Sequence, residues 1–279
     1  MKTSIRSKAA MMGLLIGIVP ACVRAEQAQT PNSTLKPDDI KVVSFEDLTY
    51  PALAQNNQPA AEGIVVVRIM LDNKGRVTRA DALSGKEVLI PDSLSNAKKW
   101  RFEPNATKTA VIVYNFRIAR GICKLASSFF TLDPPNLATI TACLPVTATS
   151  NSTVNSQQAA DVMVSDKDME IVDYEDMRYP TLAASARISG VVVVQAKLNK
   201  NGEVTDASAI FGYPMLIPDS LTNVKKWRFR PNAKQLEVVV YYFRFPCNGL
   251  QYNSDQQPQF VLVPPNFATV TGTGRTVTD

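Results

Sequence analysis

The chain has 279 residues, of which 45% are hydrophobic and 20% are charged, a composition typical of a folded globular protein. It contains no histidine, which excludes Ser-His-Asp and Cys-His catalytic sites and metal sites that need a histidine ligand. The formal net charge is +5, but four Lys and Arg residues and no acidic residue lie in the first 25 positions, which leaves 26 basic against 25 acidic residues in the rest. We therefore expect no binding to nucleic acid.

The first 25 residues have the pattern of an export signal. Basic residues precede an apolar stretch over residues 9–19, and a small-residue cleavage site follows at residues 23–25. We therefore expect a signal peptide that is cleaved near Ala25. The alternatives are a retained inner-membrane anchor, for which the apolar run is short, and a lipoprotein modified at Cys22.

The rest of the chain carries the same module twice. Residues 90–106 return as residues 217–233 with 14 of 17 positions identical. The motif Val-x-Phe/Tyr-Glu-Asp opens each copy at Val43 and Val172, and Pro-Pro-Asn lies near the end of each copy, so we predict two domains, named module 1 and module 2. The predicted boundaries are 1–25 for the signal peptide, 26–39 for a polar linker, 40–143 for module 1, 144–165 for a flexible linker, 166–273 for module 2 and 274–279 for a tail.

Module 1 is predicted to begin with a short helix and a β-hairpin. The helix, at residues 52–55, follows Pro51, which suits a first helical turn. Two runs rich in β-formers, residues 63–71 and 76–83, are joined by a turn that ends in Gly75, which is typical of a hairpin. Module 2 repeats these elements at residues 181–184, 190–198 and 203–210.

A second helix and a third strand follow. Residues 90–100 place Leu94, Ala97 and Trp100 on one side of a short helix, and residues 111–118 alternate as a strand with an aromatic inner face. A helix crossover gives the strand order second, first, third, which leaves the third strand at an edge. The predicted fold class is α+β, with two tandem two-layer domains, each a three- or four-stranded, mainly antiparallel sheet packed by two short helices on one face.

Each module also carries an extension. Residues 128–132 and 259–263 are rich in β-formers and lead into Pro-Pro-Asn, so we predict a further strand in each copy. If that strand pairs with the third strand, it occupies the edge that a partner would need.

The cysteines bear on the same region. An exported chain meets an oxidising compartment, where a Cys123–Cys143 disulfide with Cys247 free is one interpretation and three unpaired thiols are the other.

The outer faces of the first and third strands are apolar. If helices cover only the inner face, something else covers this patch, because monomers rarely expose one; the choices are the extension, the sister module or a partner. The patch comprises Ile64, Val66, Val111 and Val113 in module 1, and Val191, Val193, Val238 and Val240 in module 2.

The ordered motifs resemble the carboxy-terminal domain of the TonB energy transducers. They are Tyr-Pro, an Ala-containing helix, Gly-x-Val-x-Val, a Gly-closed hairpin, a small helix and Trp-Arg-Phe-x-Pro, and they span residues 50–117 and 179–244. The resemblance implies a non-catalytic periplasmic module of Gram-negative envelopes that adds a partner's extended segment to its sheet edge. The implied partners are envelope proteins such as the periplasmic segments of outer-membrane transporters. Unlike full transducers, the chain has no histidine and no Pro-rich spacer.

The functional prediction is a protein-binding module associated with envelope transport, with partner binding by β-strand addition or sheet-face contact. No catalytic residue, metal or cofactor is predicted. The alternative is a structural envelope protein whose extra strands close the sheet edges to form a self-packed pair or homodimer. The predicted partner-binding residues are Val111, Val113, Asn115, Arg117, Val238, Val240, Tyr242 and Arg244.

Overall fold

The computed structural model describes residues 34–56, 60–121, 127–133, 135–145, 171–245, 259–263 and 266–272. The predicted signal peptide lies outside these residues, as do Cys22, Cys123 and Cys247. None of the helices among the described residues has the length and the apolar character of a membrane span.

Module 1 follows a 3-10 turn at Pro37–Asp39. Its elements are β1 (Val42–Ser44), α1 (Ala52–Asn56), β2 (Gly63–Leu71), β3 (Val77–Ser84), α2 (Ile90–Ala97), β4 (Arg101–Phe102), β5 (Thr109–Gly121), β6 (Ser127–Asp133) and β7 (Leu137–Pro145).

Module 2 repeats the same order. Its elements are β8 (Ile171–Asp173), α3 (Thr181–Ser185), β9 (Gly190–Leu198), β10 (Val204–Phe211), α4 (Ile217–Val224), β11 (Arg228–Phe229), β12 (Leu236–Arg244), β13 (Phe260–Val263) and β14 (Phe267–Thr271).

The predicted hairpins are confirmed, and the turn residues explain why they form. The Asp72 carboxylate accepts hydrogen bonds from the backbone N–H of Arg76 at 2.9 Å and of Lys74 at 2.8 Å. These bonds, led by that from Arg76, lower the pKa of Asp72 to about 2. Gly75 has φ +71°, and a Cβ there would overlap the Phe102 carbonyl oxygen. The turn therefore requires glycine both for its backbone conformation and for its close approach to β4.

The two large sheets have the orders β3-β2-β5-β7-β6 and β10-β9-β12-β14-β13. The predicted order of the first three strands is confirmed, but the predicted count of three or four strands is too low. Each sheet has five strands and is mixed, because β7 and β14 run parallel to the third strands β5 and β12. The extra strand arises because the chain continues in extended form after Pro-Pro-Asn.

The inner face of each sheet packs on the helices and forms an aromatic core. Trp100, Tyr114 and Phe116 are buried in module 1, and Trp227 and Tyr241 take the same roles in module 2. The aromatic side of the third strand is buried, as the alternation predicted. The helix differs from the prediction, because α2 ends at Ala97, Trp100 lies beyond it and Leu94 is only partly buried. The residues that α2 buries are Ser93, Asn96 and Ala97.

The outer faces of the two sheets pack against each other. All eight residues of the predicted outer patch are buried and belong to one cluster that joins the modules. The Nδ2 of Asn266 donates to the Ser84 Oγ across this contact at 3.2 Å. Each module therefore covers the apolar outer patch of the other module.

A short segment ahead of module 1 also contacts module 2. The Leu35 N–H donates to the Ile210 carbonyl and the Leu35 carbonyl accepts from the Gly212 N–H, both at 3.1 Å. The Leu35 side chain is buried in the shared cluster, and Ile40 lies in the module 1 core. Residues 34–39, predicted to belong to a linker, thus tie the edge of β10 to module 1.

Candidate partner-binding site

The edges of the third strands are occupied by the chain itself. β7 lies on β5 from Val113 opposite Leu137 onward, and β14 lies on β12 from Val240 opposite Phe267 onward. The predicted extension strands, β6 and β13, pair with β7 and β14 and form the outermost strands. The extension therefore closes the third-strand edge, but it does so through the segment that follows Pro-Pro-Asn.

The asparagine of Pro-Pro-Asn holds each closing strand in register. In module 1 the Asn136 Nδ2 donates to the Val111 carbonyl at 3.0 Å, and the Asn136 carbonyl accepts from the Val113 N–H at 2.9 Å. Asn266 makes the equivalent pair of bonds to β12. Both asparagines are fully buried, so each satisfies backbone groups at the point where the parallel pairing begins.

The predicted partner-binding residues are divided between the shared contact and the surface. Asn115 is buried and Tyr242 is half-buried, with its ring 6.1 Å from that of Phe267. Arg117 and Arg244 are exposed. The four valines, Val111, Val113, Val238 and Val240, are buried between the sheets. A partner that used these valines would have to separate the two modules.

A second buried asparagine organises the inner side of each module. The Asn96 Oδ1 accepts from the Trp100 Nε1 at 2.8 Å and from the Tyr114 hydroxyl at 3.0 Å, while its Nδ2 donates to the Glu46 carbonyl at 2.9 Å. Asn223 makes the corresponding bonds in module 2. The helix, the third strand and the Glu-Asp segment are thus fixed to one another by a single side chain.

The Glu-Asp segment brings an aromatic ring to the extension. The Phe45 ring lies 5.5 Å from those of both Trp100 and Phe130, and Tyr174 lies between Trp227 and Phe260 in the same way. The partly exposed rings of Phe45 and Tyr174 therefore connect the outer strands β6 and β13 to the aromatic cores of their modules.

Buried tyrosines stay neutral in both modules. Burial raises the pKa of Tyr114 and of Tyr241 well above the ordinary range, and burial together with the nearby Glu62 does the same for Tyr50. The Tyr50 hydroxyl donates to the Ala61 carbonyl at 2.6 Å, and the Tyr179 hydroxyl donates to a backbone carbonyl in the same way. These side chains therefore serve as fixed hydrogen-bond donors.

Charged groups in the described part pair at the surface and form no metal-binding group of three or more ligands. The Lys99 Nζ lies 2.8 Å from the Glu46 carboxylate, and Lys226 and Glu175 form the equivalent pair. All four side chains are about half exposed, so these pairs contribute little to stability.

A known protein family matches the first part of each module, up to the third strand, and not the extension that follows. The profile of the family described as Gram-negative bacterial TonB protein C-terminal matches residues 46–118 and 175–248, more than half of the chain. This chain belongs to the TonB C-terminal family. The chain matches no curated protein and no solved structure. Both TonB C-terminal segments end near the third strand, so the closing strands β6–β7 and β13–β14 lie outside the family segments.

The family places the module in a cellular context. TonB C-terminal domains are periplasmic, non-enzymatic domains of Gram-negative bacteria, and they function in envelope transport together with proteins such as outer-membrane transporters. The structure adds two features that the motifs did not reveal: the asparagine of Pro-Pro-Asn on the third strand and the second strand of the extension. The recurrence of Pro-Pro-Asn in both copies is the sequence signal that could have indicated a role for this asparagine.

Cysteine chemistry also bears on the extension. Cys143, in β7, is disulfide-bonded, so the interpretation with three unpaired thiols is wrong. Its predicted partner, Cys123, lies outside the described residues.

Proposed function

We propose that this protein is a non-catalytic, protein-binding module of the periplasm that is associated with transport across the Gram-negative envelope. It binds an extended segment of an envelope protein by β-strand addition. Membership of the TonB C-terminal family supports the cellular role. The proposal places the accepting edge on the extension, because the third-strand edges are paired with β7 and β14 and the outer sheet faces are buried between the modules.

The observation that carries this placement is the outermost strand β6. Its alternation puts Phe130 and Leu132 toward the core and Phe129 outward, where 58% of the Phe129 side chain is exposed. The strand contains no lysine and no proline, the residues that commonly protect an edge from pairing. In module 2, β13 is shorter but also presents exposed valines, Val261 and Val263. Edges of this kind accept extended peptides through main-chain hydrogen bonds.

A peptide-binding experiment tests the proposal. The mature chain is titrated into labelled synthetic peptides that copy periplasmic segments of outer-membrane transporters, and binding is followed by fluorescence anisotropy. We expect binding that weakens at least ~10-fold in Phe129→Asp, a loss of about 1.4 kcal/mol. Leu53→Asp is the matched control, because Leu53 is 75% exposed but lies on helix α1. Failure of every peptide to bind, or equal weakening in both variants, refutes the proposal.

A second candidate function is a structural envelope protein. The face-to-face packing of the two sheets favours it, because contact surfaces such as Val113 and Val240 are fully buried without a partner. In this case the tandem forms a self-contained pair and binds no extended peptide. Sedimentation of the mature chain separates a self-packed monomer from a homodimer, and the peptide titration separates both from the binding module.

A further inference from the structure

The two extensions are held on their sheets to different extents. In module 1, β7 follows β5 as far as Gly121 opposite Pro145. In module 2, β14 follows β12 only as far as Arg244 opposite Thr271. One further bond runs from the Gly272 N–H to the Arg244 carbonyl at 2.9 Å, but neither Phe245 nor Gly272 continues a strand.

Local chemistry accounts for the early end of β12. Phe245 turns to pack on Tyr179, with ring centroids 4.8 Å apart, and the Arg187 guanidinium lies 4.9 Å from the Phe245 ring. In the sequence the next residue is Pro246, which has no amide hydrogen with which to continue a ladder. The corresponding positions in module 1, Ile118 and Ala119, remain in β5.

The outer strands repeat the difference. β6 pairs with β7 over Ser127–Asp133, whereas β13 pairs with β14 over only Phe260–Val263.

A covalent bond also restrains β7, the closing strand of module 1. Cys143 lies in β7 opposite Ala119 of β5 and is disulfide-bonded. When Thr141 is aligned with Thr271, the position equivalent to Cys143 is Thr273, which cannot form a disulfide. A disulfide restricts the opened state, so it suppresses local opening of β7 in a way that β14 lacks.

We propose that the extension of module 1 is a permanent part of its sheet and that the β13–β14 hairpin of module 2 is a gate that opens by local unfolding. Opening removes β14 from β12 and leaves unpaired the backbone groups that residues 240–244 direct toward β14; the pairing of β12 with β9 remains. Asn266 limits the opening, because its side chain holds both the Val238 carbonyl and the Ser84 hydroxyl. The uncovered β12 edge is a second accepting edge beside the one proposed on β6. Its use by a partner rests on the proposed function, but the opening itself does not.

Hydrogen exchange of the full chain tests the gate directly. The amides of Ala268 and Val270 in β14 are compared with those of the equivalent Ala138 and Ile140 in β7, all four of which are buried. We expect the β14 amides to exchange at least ~10-fold faster than the β7 amides, as in local opening. Equal rates, or faster exchange in β7, overturn the proposal.

A Cys143→Ser variant tests the role of the disulfide. We expect faster exchange in β7 and an unchanged rate in β14. An unchanged rate in β7 would mean that the disulfide does not suppress the opening of β7. If the variant fails to fold, the comparison within the wild-type chain still decides whether the gate exists. If the chain binds peptides but the two strands exchange at equal rates, the gate is contradicted and the proposed function is not. If the strands exchange at unequal rates but no peptide binds, the proposed function is contradicted and the gate is not.

Discussion

The buried asparagine Asn96 offers a quantitative test of how module 1 is held together. Asn96→Ala removes the acceptor for two buried donors, the Trp100 Nε1 and the Tyr114 hydroxyl, and frees the Glu46 carbonyl. A buried donor left without a partner costs about 1–3 kcal/mol, so we expect a loss of about 4 kcal/mol in the free energy of unfolding. Asn223→Ala should cause a similar loss, because the bonds in module 2 are equivalent.

Urea unfolding followed by tryptophan fluorescence measures this loss, because the chain's two tryptophans, Trp100 and Trp227, both lie in these networks. Asn73→Ala is the control, since Asn73 is exposed in a turn and its replacement should change stability by less than about 0.5 kcal/mol. A loss below about 1 kcal/mol for Asn96→Ala would contradict this expectation, because it would mean that the two donors find other partners.

Three further predictions concern the hairpin and the contact between the sheets. Gly75→Ala should destabilise the chain by at least ~2 kcal/mol in urea unfolding, because the added Cβ meets the Phe102 carbonyl oxygen; an unchanged midpoint contradicts this. The Asp72 carboxyl has a lower pKa in the folded chain than its ordinary value of about 3.9, so its contribution to stability is complete above that pH and is lost as the pH falls through about 2. An NMR titration midpoint near the ordinary value would be evidence against the turn geometry. Val193→Asp should cost about 4 kcal/mol or more by placing a carboxylate between the sheets, whereas Val172→Asp, at a site 60% exposed, should leave the melting temperature nearly unchanged.

Local signals were sufficient for much of each module. The hairpins follow from the alternation around Gly75, which is needed for its positive φ and its close approach to β4. The inner face of the third strand follows from the spacing of residues such as Tyr114, which is buried against the helix. These features depend on neighbours in the sequence, and period-2 and turn patterns encode such neighbours well.

The extension was harder to predict because its pairing is long-range. Pro-Pro normally stops a strand, so residues 137–145 gave no reason to expect a strand that enters the sheet between β5 and β6. The role of Asn136 depends on a backbone carbonyl 25 residues earlier in the chain. No local pattern reports such a bond.

Local sequence patterns also could not predict which part of the molecule packs on the outer patch. Residues such as Val66 and Val193 show by their alternation that the outer faces are apolar, but an apolar face carries no record of what packs on it. The extension, the sister module and a partner would all satisfy the same valines. Four of the eight predicted binding residues, Val111, Val113, Val238 and Val240, were therefore placed on a surface that is buried between the two sheets.

Methyl NOEs measured on the monomeric chain test whether the two sheets pack face to face. We expect NOEs between methyl groups of the module 1 set, Val66 and Val113, and those of the module 2 set, Val193 and Val240, since all four are fully buried in one cluster. A monomer that shows NOEs within each set and none between the two sets would mean that the sheets do not pack against each other.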